Sequence, residues 1–389
     1  MMNYKTSAIV GAIALSAASA AAQPAVTPVT LKAPDGVALK ASYYSPGKPG
    51  PGLVLLHQCN SDRSAWTTFA KNAAARGYHV MALDYRGYGE SEGQRFKDPQ
   101  VQQTIVEDKW PGDVDAAFAW LLAQPGVDKD RIGASGASCG VNQSVLLASR
   151  HPEVKSVVLL SGGLTPAART YLGKSDWLAV MASASDDDGN TVDGMRWLLG
   201  WSRNPKNKFV QFKAAGHGTE MFAVEKTLEP QMLDWFEATL RNAPTKPAST
   251  TADAKPSPIA DFWAALAEPG GVARAQSIYQ ATKAADGKVM LFPEGELNAV
   301  GYQLLQENRG KDAIIVFQMN VDAYPESGNV YDSLSDGYLA DGNTVEALKY
   351  AEKALQVLAT DTRTPDEFKQ AVRESAEKKI KDLKKEINF

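Results

Sequence analysis

A five-residue pattern near the middle of the chain is the strongest candidate for chemistry. Residues 136–140 read Gly-Ala-Ser-Cys-Gly, which is the G-x-S-x-G pattern of a serine on a tight strand-to-helix turn. Such a turn exposes the hydroxyl of Ser138, and the following amide and the helix N-terminus can face a developing oxyanion. Ser135 is the rival serine, but it falls inside the preceding strand and lacks the turn. We therefore predict that Ser138 is a nucleophile.

A serine nucleophile needs a base, and the chain has four histidines. His57 ends a predicted strand, His79 begins one, and His151 precedes a proline at a helix end. His217 instead lies between two glycines in a loop after the last predicted strand, where its ring is accessible and its backbone can be aimed. We therefore predict that His217 is the general base, because of its position in this loop and because the other three histidines are less suitably placed.

An acid should orient that imidazole and stabilise its protonated form. In the chain order expected here, the acid falls between the serine and the histidine. A predicted strand over residues 177–183 runs there into three consecutive aspartates. We choose Asp186, three residues beyond the strand end, and place Asp188 second. The two aspartates that are not the acid, including Asp187, would form a solvated acidic turn. The sequence alone does not decide which of the three aspartates is the acid.

Short apolar segments alternate with amphipathic ones from residue 26 to about residue 240, and these elements must position the three side chains. Strands are predicted at 37–44, 52–57, 79–84, 131–137, 154–161, 177–183 and 209–213. Helices are predicted at 64–76, 113–124, 141–149, 192–201 and 219–240. The alternation predicts an α/β fold, with a mostly parallel sheet and helices on both of its faces.

These motifs resemble the α/β-hydrolase superfamily, most closely its dienelactone-hydrolase-like and small serine-esterase branch. The resemblance covers about residues 29–240, and its matching pieces are Leu55-Leu56-His57, the loop 84–91, the pattern at 136–140 and Ala215-Gly216-His217-Gly218. In that family a His-Gly-x turn ends the first parallel strand, and the amide of x supplies one oxyanion donor. Here Gln58 stands in place of the glycine. The resemblance implies that the amides of Cys59 and Cys139 are the two donors.

The resemblance also brings the two cysteines of the chain together. Two amides that bind one oxygen must lie close to each other, so the Cα atoms of Cys59 and Cys139 should be near disulfide range. We hypothesise a disulfide between them that braces the oxyanion site. Two unlinked thiols packed as small hydrophobic groups are the alternative. Cys139 is not the predicted nucleophile, because it lies one residue beyond the apex of the turn.

The first 22 residues have the pattern of a signal peptide. Lys5 precedes a short apolar run at 9–15 and a series of small residues, with cleavage expected after Ala22. The run is shorter than the roughly 20 residues that a membrane span needs. We therefore predict a periplasmic or secreted protein with no membrane span, in a compartment where disulfides can persist.

The composition limits the remaining classes of function. The chain is 44% apolar and 22% charged, which is typical of a globular protein. Its net charge of -4 argues against general nucleic-acid binding. Two cysteines exclude a four-thiolate zinc module. The sequence has no histidine–carboxylate cluster and no phosphate-binding glycine loop, so we expect no metal and no organic cofactor.

The C-terminal part is predicted to be a separate helical domain. A stretch rich in Pro, Ala, Ser and Thr at 243–258 links a catalytic domain, 23–242, to residues 259–389. Small and aromatic residues recur there at an offset of 34, as Gly301 and Ser335 do. This segment resembles a pair of tetratricopeptide repeats, followed by a capping helix. An ordinary helical bundle is the alternative.

Three functions remain open for such a chain. The first is an exported serine hydrolase that cleaves small-molecule carboxylic esters. The second is amide or peptide hydrolysis, or acyl transfer, by the same residues. The third is a non-catalytic protein whose repeats recruit a protein partner; the repeats could also dock on the catalytic domain itself.

The site is expected to be open, or covered by the repeats. Only residues 162–176 separate two strands between which many relatives insert a cap domain. Several aromatic residues are candidates either for an acyl pocket or for the core, namely Trp66, Trp177, Trp197, Trp201 and Phe222.

Overall fold

The computed structural model describes residues 25–93, 99–244, 254–287, 289–362, 364 and 366–387. The predicted signal peptide, residues 1–22, lies outside the described residues, and so does most of the predicted linker, at 245–253. Among the helices in these ranges, none is both long enough and apolar enough to cross a membrane.

An eight-stranded sheet lies at the centre of the described N-terminal part. Its strands are β1 (Ala25–Lys32), β2 (Ala38–Ser45), β3 (Gly50–Leu56), β4 (His79–Leu83), β5 (Val127–Ala137), β6 (Val154–Leu160), β7 (Ala179–Ser185) and β8 (Lys208–Phe212). Their order in the sheet is β1-β2-β4-β3-β5-β6-β7-β8. The pairs β1–β2 and β2–β4 are antiparallel, and all other pairs are parallel. The predicted α/β fold with a mostly parallel sheet is confirmed.

Helices connect these strands and cover the sheet. They are α1 (Thr67–Ala75), α2 (Pro99–Asp108), α3 (Trp110–Leu122), α4 (Cys139–Arg150), α5 (Pro166–Lys174), α6 (Thr191–Gly200), α7 (Met221–Val224) and α8 (Leu228–Phe236). The single helix predicted over residues 219–240 is wrong, since this stretch is divided into a 3₁₀ turn, α7 and α8, the last of which continues as a π-helix over Glu237–Arg241. Pro230 explains part of the division, because a residue without a backbone N–H fits the first turn of α8 and not a helix interior.

Apolar side chains pack against both faces of the sheet. Every residue of β4 and of β7 is buried. Trp110 and Phe118 belong to the core on one face, and Trp66 and Phe69 to the core on the other. A strand that is buried on both faces is apolar on successive residues, which is the pattern that identified these strands in the sequence.

The C-terminal part is helical throughout its described elements. They are α9 (Pro258–Ala267), α10 (Val272–Ala285), α11 (Glu294–Gln306), α12 (Gly310–Ala323), α13 (Gly328–Ala340), α14 (Thr344–Leu358) and α15 (Asp366–Ile387). The start of α13 follows that of α11 by 34 residues (328 - 294), and α14 follows α12 by the same interval (344 - 310). The predicted all-helical domain is confirmed, whereas its tetratricopeptide assignment stays a prediction.

The C-terminal helices contact α5 and α6 of the first part. The guanidinium of Arg169 in α5 lies 4.9 Å from the ring centroid of Trp197 in α6 and 5.6 Å from that of Trp263 in α9. The same guanidinium donates a hydrogen bond of 3.0 Å to Glu296 in α11. Trp197 Nε1 donates to the carbonyl oxygen of Leu291 at 2.9 Å. A buried arginine and tryptophan side chains therefore join the two parts of the molecule.

Candidate active site

Ser138 lies at the turn between β5 and α4. Its backbone has φ 52° and ψ -117°, a conformation that residues other than glycine rarely adopt. The amide of Ser138 donates to the carbonyl of Leu160 at 2.8 Å, and its carbonyl accepts from the amide of Val141 at 2.9 Å. These bonds hold the serine in a strained turn at the carboxyl end of a central strand, the geometry of a nucleophile elbow.

The two glycines of the pattern allow this turn to pack closely. A Cβ on Gly136 would overlap the carbonyl of Gly140, and a Cβ on Gly140 would overlap the carbonyl oxygen of Leu56. Both positions therefore require glycine because backbone occupies the space that a side chain would need. The close approach brings the loop after β3 next to the first turn of α4.

His217 contacts one of the three consecutive aspartates. Its Nδ1 lies 2.7 Å from Oδ2 of Asp188. A carboxylate only accepts hydrogen bonds, so in the neutral imidazole Nδ1 carries the proton and Nε2 is left as an acceptor. His217 and Ser138 line the same cavity, and 34% of the His217 side chain is exposed. The site thus combines a hydroxyl, an imidazole and a carboxylate, the groups that nucleophilic acyl transfer uses.

Asp186, the predicted acid, has no described contact with His217; Asp188, the second choice, makes that contact instead, and its role as the acid stays a prediction. The amide of Asp186 donates to the carbonyl of Phe212 at 2.9 Å, so this residue still follows the edge of the sheet. Its carboxylate accepts from the side chain of Gln211. The turn begins at Asp186 and is closed by the amide of Asp188, which donates to the carbonyl of Ser185 at 3.1 Å; this turn carries Asp188 to the imidazole.

Asp187 has a different task, which is to hold the loop before the histidine. Its carboxylate accepts from the hydroxyl of Ser185 and from the amides of Ala215 and Gly216, the last two at 3.2 Å. The hydrogen bond from Ser185 lowers the pKa of Asp187 below its ordinary value. Asp187 therefore links the end of β7 to the loop that carries His217.

Cys59 and Cys139 are joined by a disulfide, with their Cα atoms 5.9 Å apart. Cys59 belongs to the loop after β3, and Cys139 is the first residue of α4. The bond therefore attaches that loop to the turn that carries Ser138. The roles of the two backbone amides as oxyanion donors stay a prediction.

The other three histidines have structural partners. His57 is buried, and its Nε2 accepts a hydrogen bond of 3.2 Å from the amide of Tyr85. His79 lies 2.6 Å from the hydroxyl of Tyr43, and burial lowers the pKa of its imidazole. His151 lies 3.0 Å from a carboxylate of α3. None of the three lines the cavity beside Ser138, as far as its walls are described.

The cavity beside Ser138 has a volume of about 400 Å³. Its described lining consists of small or neutral polar residues and the candidate histidine, namely Ser138, Cys139, Ser161, Gly162, Gly163, Asn190, Thr191, Gly194 and His217. In this set there is no carboxylate, no lysine or arginine, and no phenylalanine, tyrosine or tryptophan. It also includes no residue of the C-terminal helices, so they form no part of the described wall.

The five aromatic residues considered for an acyl pocket lie elsewhere. Trp66 packs against Phe222, with ring centroids 5.5 Å apart. Trp197 and Trp201 face α9, and Trp177 packs against α5. Their packing corresponds to the alternative interpretation, that they are core residues.

Part of the site was not predicted from the sequence. Ser161 directly follows β6, and Asn190 and Thr191 lie at the start of α6, after β7. One signal could have indicated them, because the carboxyl ends of neighbouring parallel strands meet at the same edge of a sheet. The described residues contain no group of three or more histidines, cysteines or carboxylates arranged to hold a metal ion.

Comparison with known families matches this same part of the chain. The model of the X-Pro dipeptidyl-peptidase (S15) family matches residues 35–226, which include both Ser138 and His217. An α/β-hydrolase domain-containing protein of Arabidopsis thaliana is 25% identical over 206 residues, which are 52% of this chain and 58% of that protein. The chain belongs to the α/β-hydrolase superfamily. The superfamily that the motifs resemble is therefore confirmed.

Other relatives of this α/β hydrolase match shorter stretches. An uncharacterised protein of Mycobacterium tuberculosis is 30% identical over 157 residues, 40% of this chain and 52% of that protein. A thiohydrolase of Aspergillus aculeatus is 34% identical over 109 residues, 27% of this chain and 31% of that protein. The chain thus spans about half, or less, of the length of these relatives.

Two solved structures also align with part of this chain. An esterase of Pyrococcus furiosus, 18% identical, covers 56% of this chain and 92% of its own, with a TM-score of 0.46. A dienelactone hydrolase of Anabaena variabilis, 18% identical, covers 56% of this chain and 100% of its own, with a TM-score of 0.44.

Proposed function

We propose that this α/β hydrolase is a serine hydrolase that cleaves carboxylic esters of small, neutral acyl groups. One observation carries the proposal. His217 Nδ1 lies 2.7 Å from Asp188, and the same imidazole lines a cavity together with Ser138, which sits on a strained turn. In this combination His217 can act as the base for the Ser138 hydroxyl, and Asp188 orients the imidazole.

The reaction then follows two steps. Ser138 Oγ attacks the ester carbonyl while Nε2 of His217 takes its proton, and the imidazolium returns that proton to the leaving alcohol. Water attacks the acyl-enzyme in the second step, with His217 again as the base. Asp188 stabilises the imidazolium in both steps. The amides of Cys59 and Cys139 are the proposed donors to the oxyanion.

The cavity lining supports the proposed acyl group. The described lining of this cavity of about 400 Å³ includes glycines, hydroxyls and an amide and no large apolar side chain, whereas long acyl chains need an extended apolar surface. A charged acyl group would also lack a partner, because the described lining has no lysine, arginine or carboxylate.

Peptide hydrolysis is the second candidate, because the matching family model is that of a dipeptidyl-peptidase. Release of a dipeptide requires the enzyme to recognise a free α-ammonium group, and such a group is bound by carboxylates. The described lining offers none. An acyl-enzyme can also pass its acyl group to an alcohol other than water, so acyl transfer would use the same three side chains.

We also propose export of this hydrolase and docking of its C-terminal helices on the catalytic part. The disulfide at the site fits an oxidising compartment. The contacts of Arg169 with Trp263 and Glu296 support intramolecular docking rather than a separate partner for this face of the helices.

A fluorophosphonate probe and a panel of p-nitrophenyl esters test the catalytic proposal. We expect the probe to label the wild-type protein and the protein to hydrolyse acetate and butyrate esters faster than the octanoate ester or glycyl-prolyl-p-nitroanilide. Ser138→Ala should abolish both reactions, because it removes the nucleophile. Ser135→Ala is the matched control, since Ser135 is buried in β5 and bonds to the Val158 carbonyl at 3.1 Å.

Two results would contradict the proposal. A folded wild-type protein that is not labelled would favour a non-catalytic function. Cleavage of the anilide faster than of the acetate ester would instead favour the peptidase.

A further inference from the structure

The residue after His57 makes a contact that a glycine could not make. Gln58 is buried, with 2% of its surface exposed. Its Oε1 accepts two hydrogen bonds from Thr219, one from the amide at 2.8 Å and one from the hydroxyl at 2.9 Å. Its Nε2 donates to Asn60 Oδ1 at 2.8 Å, which fixes the orientation of the amide group. The side chain thus connects two loops that are 161 residues apart in sequence.

The contact lies directly beside the candidate base. Thr219 is two residues after His217, and both belong to the turn at the end of β8. Gly218, between them, has φ +59°, and a Cβ at this position would overlap Gln58 Oε1. The Gln58 side chain is therefore pressed against the backbone that carries His217.

The loop of Gln58 is itself attached to the turn that carries Ser138. Its next residue, Cys59, forms the disulfide with Cys139. These contacts connect the Thr219 turn through Gln58 and Cys59 to α4. They therefore fix the position of the His217 backbone relative to the Ser138 backbone. The contact between His217 and Asp188 fixes the ring, and the Gln58 contact fixes the loop.

We propose that Gln58 is a positioning residue, which holds the His217 turn at the distance from Ser138 that proton transfer needs. The proposal rests on the proposed function, because it concerns the same site. Gln58 does not line the described cavity, so it acts through the backbone and not on the substrate. A buried double acceptor is suited to this task, since water does not compete for its hydrogen bonds.

The expected effect is on the rate of the chemical step. A displacement of a catalytic group by about 1 Å can cost about 100-fold in rate, while the binding of the ground state is little altered. Loss of both hydrogen bonds from Thr219 to Gln58 should therefore lower kcat by about 10- to 100-fold and leave KM nearly unchanged.

The test uses the full chain, with the rate of fluorophosphonate labelling and the kcat and KM for p-nitrophenyl acetate as readouts. Gln58→Met keeps the size of the side chain and removes the oxygen that accepts both hydrogen bonds from Thr219, so we expect the full loss. Thr219→Val removes only the hydroxyl donor and should cost about fivefold. Thr219→Ser keeps that donor and should retain the wild-type rate.

Gln143→Met is the matched control for the loss of a buried glutamine. Gln143 is buried in α4, and its amide donates to the carbonyl of Val106 in α2 at 2.8 Å. Its rate should stay within about twofold of wild type, since the described hydrogen bond of Gln143 goes to Val106 and not to the loops of Gln58 and His217. Thr219→Val and Thr219→Ser keep the test informative if Gln58→Met does not fold.

The outcomes separate this proposal from the one on which it rests. A wild-type protein that is not labelled at Ser138 overturns both. Wild-type labelling with an equally fast Gln58→Met, or with Thr219→Val as fast as Thr219→Ser, overturns only the role of Gln58. A loss that appears in KM rather than in kcat, or an equal loss in Gln143→Met, also overturns it.

Discussion

Asp188 rather than Asp186 reaches His217 because of where β7 ends. The strand extends to Ser185, two residues beyond the end at Ser183 that the sequence pattern predicts. Three residues beyond the actual end is Asp188, whose amide donates to the carbonyl of Ser185 as the chain turns. The predicted strand ends too early because Ala184 and Ser185 are small residues that do not continue the apolar run.

Substitution of each aspartate should distinguish their roles. We expect Asp188→Asn to lower kcat by about 10³- to 10⁴-fold, because an amide neither holds the imidazole in the required tautomer nor stabilises the imidazolium. Asp186→Asn, the matched control, should stay close to wild type, since its side chain bonds only to Gln211 among its described partners. The kcat for p-nitrophenyl acetate measures both, and an equal loss in the two variants would contradict the assignment.

The sequence predicts local features of the site better than distant contacts. Ser138 and His217 each carry a local pattern of small neighbours, so they could be chosen from a few residues of sequence. The contact of Gln58 with Thr219 has no local pattern, because it joins loops 161 residues apart. A resemblance to relatives that have glycine at this position gives no indication of it either.

At the scale of elements, periodicity predicts the sheet well and the last helices poorly. The buried strands show continuous apolar runs, and their predicted bounds differ from the observed ones by a few residues. The stretch after His217 shows a helical period across turns that interrupt it, since the period continues when short helices pack on the same core. The helix α5 falls in the short connection between β6 and β7, where no helix was predicted.

The packing of α5 and α6 against the C-terminal helices should be important for stability. Arg169→Met removes the cation beside Trp197 and Trp263 and the hydrogen bond to Glu296, so we expect the free energy of unfolding to fall by about 1–3 kcal/mol. Arg203→Met is the control, because Arg203 pairs with Asp261 of α9 across the same contact but is partly exposed. That pair should contribute less than about 1 kcal/mol.

Urea unfolding followed by circular dichroism measures both variants. Equal, small changes for Arg169→Met and Arg203→Met would indicate that the contact between the two parts contributes little to the stability of the whole chain.

At the scale of the whole molecule, export and the disulfide make one joint prediction. The mature chain recovered from an exporting cell should begin at Gln23, because the pattern predicts cleavage after Ala22. Its two cysteines should resist alkylation until a reductant is added, since they are joined at the site. Intact mass with and without reductant measures both features. A chain that retains Met1 and has two reactive thiols would contradict the proposal.

The cluster around Arg169 gives the molecule an intrinsic optical signal for the contact between its two parts. Trp197 and Trp201 come from the catalytic part and Trp263 from α9, and their ring centroids lie 5.8 to 6.2 Å apart. Indoles this close, in a fixed asymmetric arrangement, contribute strongly to near-ultraviolet circular dichroism, which disappears when tertiary packing is lost. Trp66 and Trp110, buried on opposite faces of the sheet, would keep their own bands. Separation of the helices from the hydrolase could thus be followed without an attached dye.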